Sequence, residues 1–314
     1  MSNLPVSADG SCNGLQHLSA ILRDERGGRA TNLLASDVPQ DIYTEVADEA
    51  MRNITMDADQ GEILAKKFIE FGIDRSLTKR SVMIVPYSGT IHSCRTYIEE
   101  AMRDKIEKGT PDIFGDDLFD ATIYLARHVW DAINGVITAA RQVMDYVKDV
   151  GAVYASHNRH MEWVTPTNWL VMQNYNDVEK RRITSLINGN TIQLVLNRDI
   201  PNQVSKRRTG SGASPNFIHS MDAAAMTKTI NTCKQQGIRH FAMVHDSYGT
   251  HSSEMPRLSE VLRQEFVQMY TEHDVLTMLR QHAIVTLGTE DVPTPPKQGS
   301  LDINNVLKSQ YFFA

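Results

Sequence analysis

Two short acidic motifs near opposite ends of the chain constrain its fold more than anything else in it. Asp9 lies in Asp9-Gly10-Ser11-Cys12-Asn13-Gly14-Leu15-Gln16-His17, and Asp246 in His245-Asp246-Ser247-Tyr248-Gly249-Thr250. Between them, Arg75-Ser76-Leu77-Thr78-Lys79-Arg80 runs on through Pro86 to Tyr87, offering cations and a tyrosine at helical spacing. Carboxylates from distant parts of a chain can share a pair of magnesium ions, and a cationic helix beside them can hold a triphosphate. If these groups act together, the first strand must meet a hairpin formed late in the chain. The chemistry that such a set suits is nucleotidyl transfer.

Residues 3 to 8 read as a strand ending at Asp9. Helical periodicity follows over 15–24, 39–53 and 60–71, the last stopped by Gly72, then over 76–85 up to Pro86, 92–108 and 117–149. Ala152-Val153-Tyr154, Met161 to Val164 and Asn168 to Met172 are short, aromatic and β-branched, and are expected as strands. Ile183–Ile187 and Thr191–Leu196 flank Asn188-Gly189, the dipeptide that suits a tight hairpin because both central positions need positive φ. Further expectations are a helix over 215–236, a hairpin made by Phe241–Val244 and Tyr248–His251, one long helix over 254–284, and an extended stretch at Pro293-Thr294-Pro295-Pro296.

A chain of 314 residues with 41% apolar composition has enough material for one large or two modest domains. Cys12, Cys94 and Cys233 have no metal-ligand spacing and leave one thiol over in any pairing, which points to a reducing compartment. There is no apolar run of membrane-spanning length and no secretory leader pattern. The net charge of −6 argues mildly against a polyanionic partner. Distribution argues the other way. Lys180, Arg181, Arg182, Arg198, Lys206, Arg207 and Arg208 face only Glu179 and Asp199 within 179–208, a local balance of about +5 of the kind that follows a phosphate backbone.

The three segments, in this order, resemble motifs A, B and C of the bacteriophage-type single-subunit RNA polymerases, a family that also contains the mitochondrial enzyme. The resemblance runs on through Ser211-Gly212-Ala213-Ser214-Pro215-Asn216-Phe217-Ile218-His219-Ser220 to Tyr311-Phe312-Phe313-Ala314, covering nearly the whole chain. It implies an α+β, mostly helical protein with the right-hand fold of the family A DNA polymerase superfamily. On that pattern 1–22 is a palm segment with motif A, and 23–160 forms the fingers with motif B. Residues 161–210 hold palm-associated strands and a specificity hairpin, and 211–314 hold a fingers helix, the motif C hairpin and a C-terminal segment. The thumb and N-terminal domain are expected to be absent, because only eight residues precede Asp9. Either a missing upstream segment or a separate N-terminal polypeptide would then complete the enzyme. The resemblance further implies a DNA template and promoter, NTPs, an RNA product, two Mg2+ ions, and a virus-encoded protein in the cytoplasm of an infected bacterial host, with no membrane.

By the same resemblance, Asp9 and Asp246 hold the metals, with the Gly10 carbonyl as a third ligand. Arg75 and Lys79, four residues apart on one helix face, grip the triphosphate, and Lys79 also suits protonation of the leaving pyrophosphate. Tyr87 stacks at the nucleotide end of that helix, about 120° further round if the helix continues. Arg80 receives no role. Gly14 stands where family A DNA polymerases carry a glutamate that closes the space for a 2′-hydroxyl, so a ribonucleotide fits. His219 approaches that hydroxyl directly or through Tyr87, and His245 helps to position the primer terminus or the palm turn. Arg182, Thr184, Asn190 and Gln193 of the basic hairpin are candidates for reading promoter bases in the major groove. The aromatic C-terminus is expected to fold back towards the active site. Ser88-Gly89 after Tyr87 reverses the family's usual order, which implies a base pocket of different shape.

Three other readings compete. A catalytically inactive nucleic-acid-binding fragment, or subunit of a split polymerase, would retain the basic hairpin without needing Asp9, Lys79, Tyr87, His219 and Asp246 together. A family A DNA polymerase is disfavoured by Gly14 and by Ser247. An HD-type phosphohydrolase would place His245-Asp246 on a helix, whereas Phe241–Val244 has a strand pattern.

Overall fold

A computed structural model describes residues 4–314. In chain order the elements are β1 (Pro5–Asp9), α1 (Asn13–Leu22), α2 (Glu25–Ala30), α3 (Ile42–Asp59), α4 (Ile63–Phe71), α5 (Arg75–Met83) and α6 (Ile91–Glu107). There follow α7 (Leu118–Val136), α8 (Thr138–Ser156), β2 (Glu162–Val164), β3 (Leu170–Met172), β4 (Asn176–Ile187), β5 (Asn190–Val204) and α9 (Lys206–Gln235). The last are β6 (Ala242–Val244), β7 (Ser247–His251), α10 (Met255–Glu272) and α11 (Val275–Leu287). The protein is α+β and mostly helical, with three small antiparallel sheets among the described residues. The expected strand over 3–8 is β1, its residue 3 lying outside the described residues.

The sheet that matters has the order β1-β7-β6. Its register sets Asp9 opposite Ser247, and Ser247 opposite Val244, so the first strand does return to the late hairpin. The β6–β7 turn is made by His245 and Asp246, with His245 in the left-handed region at φ 52°. The tip of the β4–β5 hairpin has Asn188 and Gly189 both at positive φ, as the dipeptide requires.

Four expectations fail, each for a local reason. The helix expected over 117–149 is two helices broken at Ile137. The β-branched run Val136-Ile137-Thr138 after Gly135 lowers propensity there, and the Thr138 hydroxyl bonds back to the Asn134 carbonyl at 3.1 Å. Ala152-Val153-Tyr154 is not a strand but the end of α8. Val147, Val150, Gly151, Tyr154 and Ala155 are buried at helical spacing, and this period overrides β propensity. The expected helix over 254–284 divides where Asp274 caps α11 by accepting from the Thr277 amide. Last, α9 starts at Lys206 rather than at Pro215, since Thr209, Ala213 and Ser214 are buried against neighbouring elements and packing carries the helix through the proline.

One contiguous apolar core runs through the molecule, with Trp163, Tyr154, Tyr248, Phe68 and Phe217 among its fully buried side chains. Among the described residues, no helix is long and apolar enough to cross a membrane.

Candidate active site

β1 ends at Asp9, and the chain turns through Gly10-Ser11-Cys12 into α1. Cys12 adopts φ 59° just before the helix. Gly10 has no room for a side chain. A Cβ there would lie 3.0 Å from Gln16 Oε1 and 3.1 Å from the Phe313 ring. The Gly10 amide donates to the Asp246 carbonyl at 3.1 Å, which locks the two acidic turns together through backbone. On the other side of Asp9 lies the C-terminus. The Asp9 amide donates to an Ala314 oxygen at 3.1 Å, and the Ala314 amide donates to the Asp9 carbonyl at 3.2 Å. Gln16, fully buried, donates to the Phe312 carbonyl at 2.8 Å and holds the tail down.

Asp9 and Asp246 line one cleft of ≈ 950 Å³ together with Arg75, Lys79, Tyr87 and His245, and Gly10, Gly14 and Ala314 also border it. α5, capped by Asp74 accepting from the Ser76 amide, presents Arg75 and Lys79. The helix stops at Met83, and Tyr87 belongs to a short 3-10 turn over Val85–Tyr87, so the angle expected for a continued helix does not apply. Tyr87 still reaches the cleft.

Burial holds the Asp246 carboxyl above its ordinary range, and the neighbouring carboxylates Asp222 and Asp9 add to that. An acidic pair so placed favours cation binding. Two carboxylates and the Gly10 carbonyl are hard oxygen donors of the number that magnesium takes from protein, the remaining positions going to water and phosphate. Among the described residues no group of three or more His, Cys, Asp or Glu side chains is arranged for a metal.

Lys79 has no ion pair among the described residues. Arg75 is already engaged. Its Nε donates to Asp41 at 2.6 Å and its guanidinium lies 5.0 Å over the Tyr43 ring. Arg80 faces elsewhere, pairing with Glu100 and lying 4.3 Å over Tyr97.

The Tyr87 and His219 rings stack, with centroids 4.7 Å apart and planes at 15°, and His245 lies 5.8 Å beyond His219. Burial pushes the Tyr87 phenol up to about 12, helped by the nearby Cys12, Asp246 and Asp222, so it remains an O–H donor at neutral pH. Desolvation lowers the His219 pKa, and His245 acts in the same direction. Gly14 sits directly against this pair: a Cβ would lie 3.0 Å from Pro86 Cβ and 3.1 Å from Tyr87 Oη. The missing side chain is therefore needed for Tyr87 to stand where it does.

The hairpin candidates divide. Register pairs Thr184 with Gln193 and Arg182 with Val195, which puts Arg182, Thr184 and Gln193 on one face. Asn190 pairs with Ile187 and falls on the other face, whose Ile183, Leu194 and Leu196 are apolar and exposed. None of the four lines the cleft.

Sequence reading missed Asp41 and Tyr43, which hold Arg75, and the buried set Asn13, His17 and Asp222 behind the Tyr87–His219 stack. Asp222 had one signal: it is three residues beyond His219, on the same helical face.

The family described as DNA-dependent RNA polymerase matches residues 1–290. The chloroplastic/mitochondrial DNA-directed RNA polymerase 2 of Arabidopsis thaliana is 34% identical over 320 residues, spanning 100% of this chain and 30% of that protein. The DNA-directed RNA polymerase of Enterobacteria phage T3 is 31% identical over 354 residues, spanning 99% and 40%. DNA-directed RNA polymerase 2A of Nicotiana tabacum is 32% identical over 320 residues, spanning 100% and 92%. The chain belongs to the DNA-dependent RNA polymerase family, the single-subunit type found in phage T3 and plant organelles. It spans 30% of the length of the Arabidopsis relative and 40% of the phage T3 relative.

Proposed function

We propose that this chain carries the nucleotidyl-transfer site of a DNA-directed RNA polymerase, extending an RNA 3′ end from NTPs on a DNA template. The observation that carries the reading is the convergence of Asp9, Asp246, Lys79 and Tyr87 on one cleft, with His219 stacked on Tyr87. Asp9, Asp246 and the Gly10 carbonyl would hold two Mg2+ ions, which when bound stabilise charge on the attacking and leaving oxygens. Lys79, unpaired among the described residues, contacts the triphosphate and can supply a proton to departing pyrophosphate. Arg75 joins it through the guanidinium nitrogens that Asp41 does not use. Tyr87, with His219 stacked on it, forms the floor for the sugar, and Gly14, packed against Pro86 and the Tyr87 hydroxyl, carries no side chain that would exclude a 2′-hydroxyl.

In this reading the fold is the right-handed polymerase fold shared with family A DNA polymerases. Residues 1–22 and the β6–β7 hairpin belong to the palm, and 23–160 to the fingers. The face of the β4–β5 hairpin with Arg182, Thr184 and Gln193 reads promoter bases. We read the setting as transcription of phage genes in a bacterial cytoplasm, which the phage T3 relative at 31% identity supports; the plant organellar relatives, such as that of Arabidopsis thaliana at 34%, support an organellar setting as strongly.

A second reading, a subunit of a split polymerase that is inactive until joined by an upstream polypeptide, is favoured by the exposed apolar Val6 and Val244 on the β1-β7-β6 sheet. One experiment separates the two. Primer extension on a primed DNA template is run with ribonucleotides and then deoxyribonucleotides, with and without a co-expressed upstream polypeptide. Ribonucleotide extension by the chain alone supports the first reading, and extension only with the companion supports the second. Extension with deoxyribonucleotides alone overturns the RNA assignment.

A further inference from the structure

In the polymerase reading the sugar side of the cleft is formed by residues from three separate elements: Gly14 on α1 and Tyr87 in the turn after α5, which line the cleft, and His219 on α9, which stacks on Tyr87. Its width depends on what ties these elements together. Two ties join the turn to α9: the Tyr87–His219 stack and the Ser214 hydroxyl, which donates to the Pro86 carbonyl at 3.2 Å. The tie between α1 and α9 is polar and buried. Asn13, the residue before Gly14, donates through Nδ2 to Asp222 Oδ1 at 2.7 Å. His17, one turn further along α1, brings Nε2 to 3.8 Å from the same oxygen, and its Nδ1 is 2.6 Å from the Tyr270 hydroxyl on α10.

Asp222 is 5% exposed, Asn13 5% and His17 1%. A carboxylate withdrawn this far from water is costly, and an apolar residue of similar size would pack there at lower cost. What the carboxylate adds is direction: a fixed acceptor one helical turn behind His219 that Asn13 must meet for Gly14 to sit against Tyr87. Asn13 has no alternative partner to drift towards, since its Oδ1 is also buried and makes no hydrogen bond among the described residues.

We propose that Asp222, acting through Asn13 and His17, is a positioning residue that sets the spacing between Gly14 and His219 and so determines the preference for ribose over deoxyribose. The inference rests on the polymerase reading of the cleft. Asp222 touches neither metal nor substrate; it acts through the two helices that carry the groups that do.

Binding is measured calorimetrically on the full chain with GTP and dGTP in Mg2+, and separately with inorganic tripolyphosphate, for wild type, Asp222→Ala, Asp222→Asn, Asn13→Ala and the Asn13→Ala/Asp222→Ala double variant. The expected result is a GTP over dGTP preference in wild type that falls about tenfold in Asp222→Ala, the effect of losing one buried charge-assisted hydrogen bond. Tripolyphosphate affinity is unchanged, because Arg75 and Lys79 are untouched. Asp222→Asn keeps most of the preference, since its amide oxygen still accepts from Asn13. Asn13→Ala matches Asp222→Ala, and the double variant loses no more than either alone. An unchanged GTP to dGTP ratio in Asp222→Ala and Asn13→Ala overturns the proposal, as does an equal loss for all three ligands, which marks general destabilisation. If Asp222→Ala does not fold, the comparison of Asp222→Asn with Asn13→Ala decides in the same way. Wild-type chain that binds both nucleotides equally overturns this proposal and leaves the nucleotide cleft standing, whereas one that binds neither nucleotide nor tripolyphosphate removes the polymerase reading of the cleft and this inference with it.

Discussion

At the residue scale the cleft is built from side chains whose environments differ although their types repeat. Asp9 is exposed at a strand end, Asp246 half-buried in a turn, and Asp222 buried beneath both. Asp9→Asn or Asp246→Asn is expected to lower primer extension by about a thousandfold or more, the scale of losing several kcal/mol of transition-state stabilisation. Gly14→Glu is expected to displace Tyr87, because the first side-chain atom already meets the phenol. The ribo-to-deoxyribonucleotide ratio of kcat/KM should then fall by about 10- to 100-fold. Asp222 gives a pH signature in stability. Burial alone would raise its pKa, but the nearby His17 imidazole, 3.8 Å away, and the hydrogen bond from Asn13 outweigh that and hold it below the ordinary value of 3.8. A depressed folded pKa means that this stabilisation is complete above 3.8 and is lost as pH falls through the folded value. Thermal melts of wild type and Asp222→Asn should therefore differ most near neutral pH and converge as pH falls through the folded value, below 3.8.

At the element scale the two hairpins behave oppositely. β6–β7 is short, and β7 is paired on both sides, by β1 and β6. β4–β5 is a two-stranded ribbon with exposed Ile183, Leu186, Ile187, Leu194, Val195 and Leu196, and two strands alone are marginal in water. Replacing residues 183–194 with a short glycine-serine linker should leave the thermal midpoint little changed, since this segment contributes nothing to the core. The same variant should lose promoter-directed initiation and keep extension of a preformed primer, both scored by product length on gels. The elements also show where sequence is legible. Asn188-Gly189 specifies its turn because only residues tolerant of positive φ fit both positions. The breaks at Ile137 and His273 were hidden because apolar periodicity continues across them, even though Asp274 and Thr277 form an ordinary cap.

At the scale of the whole molecule, the last residues complete the site that the first described ones begin. Phe312 is fully buried, with ring centroids 4.8 Å from both Phe266 and Phe313, and Phe313 meets Tyr248 edge-on at 5.2 Å. Phe312→Ala should cost about 3–5 kcal/mol in urea unfolding. Deleting Ala314 alone should change stability far less, yet weaken extension, because it removes the backbone pair that holds Asp9.

The residue types and their order along the chain were enough to define the family, the acidic pair, the cationic helix and Gly14, because the chemistry proposed for these positions admits few substitutes. The basic hairpin was legible for the same kind of reason: its turn is local and its charge is clustered. Folding alone decided which groups would be neighbours. That Asp41 would hold Arg75, that Asp222 would reach Asn13, that Asn190 would face away from Thr184, and that Ala314 would pair with Asp9 all depend on contacts between residues far apart in the chain. Such contacts are set by packing of the core, and no spacing rule within a single segment can express them.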